Sequence, residues 1–172
     1  MSNLDFDIDS IISTLNTSAG HIGSDIMEKP ILTRAAAGTQ TVAVTSTAVL
    51  FATSNVANSL YYTYVSSGFV TIIQPGTYLA HIKVVVANDS AGPRFDINVQ
   101  NSPESPVVYA LLPGGGTSVD RTQTAAASNE SIAYVNLIFT AAAGDRFRVF
   151  MTNLVGTSTI TAESAMNIVK LN

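Results

Sequence analysis

Two histidines, His21 and His81, are the only imidazoles in this 172-residue chain. Any histidine-based acid–base, nucleophile-activating or metal-binding chemistry must run through one of them. His21 lies in a stretch punctuated by glycine and proline. His81 sits in the middle of a strand-like run, between Ala80 and Ile82, on one face with Leu79 and Lys83. A hydrolytic serine needs a histidine oriented by an acid, and neither histidine has a nucleophile at a matching spacing. No Gly-x-Ser-x-Gly elbow occurs. A metal enzyme built on a β-sandwich needs clustered histidine and carboxylate ligands, which two widely separated histidines do not supply. Both read as ordinary loop and strand residues, and no enzyme, cofactor or metal site is predicted.

Two further clusters fail on spacing. Asp5, Asp7 and Asp9 alternate as at the start of a calcium loop. An EF-hand continues with glycine at its sixth position and glutamate at its twelfth, where this chain has Ser10 and Asn16. Carboxylates at the positive end of a helix explain the aspartates better. Gly114-Gly115-Gly116 follows Pro113, but no Gly-x-x-x-x-Gly-Lys-Ser/Thr pattern surrounds it. A loop between strands is the expected reading.

The composition narrows the partners. Charged residues make up 12% of the chain, about half the ~25% usual in soluble domains. The difference is filled by Ser, Thr, Asn, Gly and Ala. Charge is depleted at the cores of protein interfaces, so this surface points to an oligomer or a lattice protein. With a net charge of −4, eight Lys and Arg residues and no basic cluster, no nucleic-acid partner is expected. No apolar run approaches the ~20 residues of a membrane span. The acidic beginning, Met-Ser-Asn-Leu-Asp-Phe-Asp-Ile-Asp, lacks the pattern of a secretion signal, so synthesis in a cytosol is expected. There is no cysteine to form disulfides.

One element is expected to be helical. Leu4, Ile8, Ile11, Ile12 and Leu15 recur at three- and four-residue steps over residues 4–16. A helix this short needs a partner for its apolar stripe. Residues 17–38, with Gly20, Gly23, Pro30 and Gly38, read as a tether, so residues 1–38 form an N-terminal arm and residues 39–172 a single domain. From residue 39 the pattern is strand and turn, with strands expected at 40–45, 48–53, 59–65, 69–73, 77–87, 94–100, 106–112, 118–123, 131–140, 146–152 and 159–170, the last broken near Glu163. In 131–140, Ala133, Val135, Leu137 and Phe139 face one way and Ile132, Tyr134, Asn136 and Ile138 the other. Both faces are apolar, which suits a core on one side and a subunit contact on the other. Many short strands with frequent turns predict a sandwich or barrel.

Three motifs carry a resemblance: Gly68-Phe69, Pro75-Gly76-Thr77-Tyr78 and Ala143-Gly144-Asp145-Arg146-Phe147, followed by a last strand after Glu163-Ser164. Their order over roughly residues 39–171 resembles the jelly roll of the complement C1q/tumour necrosis factor superfamily. The chain lacks the cysteines and the Gly-X-Y stalk of the secreted vertebrate members, and its composition is similar to related domains in phage and large-virus structural proteins. The resemblance implies an all-β jelly-roll sandwich that assembles as a homotrimer, with calcium at its loops as a family possibility that maps to no particular residues here. Tyr62, Tyr64, Tyr134 and Phe150 are candidates for the seam along the threefold axis, and each reads equally well as an ordinary core or surface aromatic.

The expected function is non-enzymatic: a virion component, a trimeric capsid decoration or cement protein. Its arm, with Leu4, Phe6, Ile8, Ile11, Ile12 and Leu15, would dock onto the capsid or another virion protein or clasp a neighbouring subunit, three arms adding avidity. The alternative is a receptor- or glycan-binding head of a tail fibre or spike, with the function in the loops. Loop aromatics would favour that alternative, and the nearest, Tyr109, falls inside the strand expected at 106–112.

Overall fold

The computed structural model describes residues 31–57, 59–88, 94–120, 130–154 and 156–171. The helix expected over 4–16 and its six apolar residues lie outside the described residues. The strands are β1 (Ile31–Ala35), β2 (Gln40–Val42), β3 (Ser46–Ala48), β4 (Thr53–Ala57), β5 (Tyr62–Val65), β6 (Phe69–Ile72), β7 (Gly76–Asn88), β8 (Arg94–Ser102), β9 (Ala110–Asp120), β10 (Glu130–Ala141), β11 (Arg146–Asn153), β12 (Ser158–Ile160) and β13 (Ala165–Lys170).

They form two antiparallel sheets. In the first, β10 lies at the edge against β7, and β7 pairs on its other side with β13 and β12 end to end. Beyond these, β1 pairs β13 and β4, and β2 pairs β12. The second sheet runs β5-β6-β11-β8-β9, with β3 alongside β11. The long β10–β7 ladder, from Glu130 opposite Ala87 to Ala141 opposite Gly76, anchors the face discussed below.

Alternation builds the core. On β10 every second residue is buried, from Ser131 through Ala133, Val135, Leu137 and Phe139 to Ala141. These pack with Tyr78, Ala80, Ile82, Val84 and Val86 of β7 against Phe95, Ile97 and Val99 of β8 and Phe147, Val149 and Met151 of β11. An aromatic bridge links the sheets. Tyr78 stacks on Phe139 at 5.6 Å, Phe139 stacks on Phe147 at 4.9 Å, and Tyr62 meets Tyr78 edge-on at 6.0 Å. Such ring pairs add ~0.5–1.5 kcal/mol beyond their buried area.

The Gly144-Asp145 turn is tied to the end of β6. Gly144 takes a left-handed φ of 87°, a conformation open to glycine at little cost. Its N–H donates to the Ile72 carbonyl, and the Ile72 N–H donates to the Asp145 carbonyl, both at 2.8 Å. The Asp145 carboxylate closes the turn by accepting the Ala142 N–H at 2.9 Å.

The break expected near Glu163 separates β12 from β13, and Ser164 repairs the ladder there. Its Oγ accepts the Val85 N–H at 2.9 Å and donates to the Val85 carbonyl at 3.3 Å, while the Thr161 N–H donates to the same carbonyl at 2.9 Å. Ser164 is fully buried. Ser164→Ala is therefore expected to cost ~1–3 kcal/mol, the usual penalty for stranding a buried polar group. Chemical denaturation checks this; an unchanged midpoint would show that the backbone closes the gap without the hydroxyl.

Three expectations are corrected. Residues 31–35, read as part of the tether over 17–38, form β1 inside the first sheet, between β13 and β4. The sheet therefore begins before residue 39, because both neighbours supply backbone partners for this short segment. Gly114-Gly115-Gly116, read as a loop, lies within β9, which runs unbroken from Ala110 in the strand expected at 106–112 to Asp120 in the one expected at 118–123. Here β9 shifts register against β8 between Asn98 and Gln100, and a Cβ on Gly115 would come within 2.9 Å of the Val99 carbonyl oxygen. The glycines permit that close irregular pairing. Tyr109 consequently precedes β9 and lies in a loop.

Candidate assembly face and comparison with known folds

The outward side of β10, β7 and β13 presents side chains in cross-strand rows. Ile138, Leu79 and Val169 form one row, Asn136, His81 and Asn167 the next, and Tyr134, Lys83 and Ala165 a third. Ile132 follows on β10, opposite the buried Val85. A solvated antiparallel sheet normally alternates apolar-in and polar-out. Here the outward residues Ile138, Tyr134, Ile132 and Leu79 are 63%, 52%, 44% and 38% exposed. An uncovered apolar cluster of this kind marks an interaction site.

The polar row is organised across the strands. The His81 ring nitrogen Nδ1 hydrogen-bonds the Asn136 side-chain oxygen, and the His81 ring lies 6.1 Å from that of Tyr134. Lys83 reaches Glu163 at 3.8 Å, an exposed pair of the kind that adds little stability. A shallow depression beside the face, at the edge between the sheets, is lined by Thr77, Leu112, Pro113, Ile138, Phe139 and Thr140. Together the face and this edge form a surface suited to packing. Among the described residues no group of three or more His, Asp and Glu side chains is placed to hold a metal ion.

The four aromatics proposed for the seam do not share this face. Tyr134 lies on it. Tyr62 is corrected to a core residue: it is 3% exposed, and burial pushes its hydroxyl pKa well above the ordinary tyrosine value. Tyr64, on the same side of β5, packs against the core, and its hydroxyl oxygen accepts the Phe51 N–H at 2.9 Å. Phe150 lies on the outward side of the second sheet, 4.5 Å from the Arg148 guanidinium. Alternation within 131–140 separated the two faces of β10, but a four-residue strand gave no comparable signal for Tyr62 and Tyr64.

The second sheet holds a group that sequence reasoning missed. Arg148 packs against the Tyr109 ring, its guanidinium carbon 3.4 Å from the ring centre, and its Nε donates to Gln100 Oε1 at 2.9 Å. Desolvation by this packing lowers the Arg148 pKa from its ordinary value, against an opposing influence of Tyr109. Arg146 lies over Phe69 at 5.1 Å. The alternation Arg146-Phe147-Arg148-Val149-Phe150 was the available signal, since it puts both arginines on the outward side of one strand.

No protein-family model matches the sequence, and no curated protein matches it. Solved structures do match. The Eiger TNF of S. frugiperda superposes with a TM-score of 0.64 at 13% identity, covering 84% of this chain and 93% of that one. Murine APRIL at pH 5.0 superposes with a TM-score of 0.61 at 13% identity, covering 84% of this chain and all of the other. Identity this low speaks to architecture alone. Two antiparallel sheets in this strand order, superposable over most of both chains, give the protein the jelly-roll fold of tumour necrosis factor-like proteins.

Proposed function

We propose that the protein is a non-enzymatic homotrimer whose subunits pack through the β10–β7–β13 face, and that it serves as a structural component of a virion. The observation that carries the assembly is the exposed apolar cluster of Ile132, Tyr134, Ile138 and Leu79 on a sheet side that would otherwise be polar. The charge-poor composition supports it, and the fold likeness supports a threefold arrangement. The proposed role is capsid decoration, with the arm bearing Leu4, Phe6, Ile8, Ile11, Ile12 and Leu15 docking each subunit onto a capsid or other virion protein. Deleting residues 1–30 is expected to abolish attachment to particles in a co-sedimentation assay while leaving the oligomer intact. Undiminished attachment would overturn the arm mechanism.

A second reading is favoured by one observation. Tyr109 lies in a loop and packs on Arg148, which supplies the loop aromatic that a receptor- or glycan-binding head would use. Cell binding by the arm-deleted protein would place the function in the sandwich.

A further inference from the structure

The outward side of the second sheet gathers Arg146, Arg148, Gln100, Asn98, Tyr109 and Phe150, none of which takes part in the assembly face. Arg148 stands opposite Gln100 of β8, and the next row places Phe150 opposite Asn98. Among the described residues the Arg148 guanidinium makes one hydrogen bond, from its Nε to Gln100, beside its contacts with the Tyr109 and Phe150 rings. Among the described residues neither Arg146 nor Arg148 has a carboxylate partner. This chain has only eight Lys and Arg residues against twelve Asp and Glu, yet these two arginines stand side by side without an ion-pair partner among the described residues.

We propose that this face binds a carboxylated sugar residue of a glycan. Rings and Gln100 hold the Arg148 guanidinium in place, so its remaining Nη donors form a preorganised fork that matches a carboxylate. Arg146, two residues along the strand, adds a second positive charge. The Asn98 side chain, the Gln100 amide hydrogens and the Tyr109 hydroxyl supply partners for ring hydroxyls. Paired strands lie ~4.8 Å apart and alternate residues ~7 Å apart, so the group spans about one sugar ring. A nucleic-acid backbone fits less well, because two arginines on a net-negative protein offer few phosphate contacts. The site lies within one chain, so it stands or falls independently of the assembly reading.

Titration calorimetry of the full chain at low salt tests this, using trigalacturonate and sialyllactose as acidic probes and lactose and sodium sulfate as controls. At least one acidic saccharide is expected to bind at least ten times more tightly than either control. Arg148→Lys, which keeps the charge and loses the fork, is expected to weaken that binding at least tenfold. Arg146→Gln is expected to weaken it several-fold; the Arg146 side chain is partly exposed and lies over Phe69, so it carries the test if the Arg148 variant fails to fold. A disruptive substitution on the assembly face should leave binding per chain unchanged. No heat from either acidic saccharide at millimolar concentration would overturn the proposal. Equal binding of lactose or of sulfate would do the same, as would folded arginine variants that bind like the parent.

Discussion

Placing two carboxylates on the apolar face, by Ile138→Asp combined with Tyr134→Asp, is expected to convert the proposed trimer into a folded monomer. Both side chains are more than half exposed in the single chain, so the isolated subunit loses little by the change; surface substitutions usually stay within ~0.5 kcal/mol. In the assembly the same positions would be desolvated, and hot-spot interface residues carry ~2–4 kcal/mol each. That is a roughly 30- to 1,000-fold loss of affinity per residue and contact. Light scattering should show the mass falling from three chains to one, with the far-UV circular dichroism unchanged. A double variant that stays trimeric would move the interface elsewhere. One that unfolds as a monomer would show that the subunit depends on assembly for its stability.

The second large effect lies in the core. Phe147→Ala is expected to destabilise the subunit by ~3–5 kcal/mol, the range for truncating a buried phenylalanine. Phe147 is fully buried and stacks 4.9 Å from Phe139, which in turn stacks on Tyr78. Its loss opens a cavity where the sheets are bridged and removes one link of the aromatic chain. At ~2–4 °C per kcal/mol for a chain of this size, the melting temperature should fall by roughly 6–20 °C. Leu60→Ala, at a position 69% exposed, should change stability by no more than ~0.5 kcal/mol. Similar effects from the two substitutions would contradict the placement of the core.

Much of this architecture is legible in local chemistry. The alternation over 131–140 separates Phe139 from Ile138 because a strand has a period of two, and both faces of β10 follow from it. The Pro75-Gly76 and Gly144-Asp145 turns are recognisable because their residue types suit tight turns. What alternation does not tell is which face meets the core when both are apolar. Tyr62 and Tyr134 look alike in sequence, and only long-range packing puts one against Tyr78 and leaves the other exposed. The triple glycine misleads for a related reason: glycine marks loops in general, but here it relieves close approach within a paired strand. The Arg148–Tyr109 contact joins a strand to a distant loop, and no spacing rule reaches across that separation. Ile31–Ala35 is placed as a strand by its neighbours β13 and β4 rather than by any periodicity of its own.

The most direct test of the assembly is the mass of the full chain in solution, measured by light scattering after size exclusion across a tenfold range of concentration. A constant mass of three times the 18.0 kDa chain is the predicted result. A single-chain mass throughout that range, with Ile132, Tyr134, Ile138 and Leu79 still open to solvent, would contradict it.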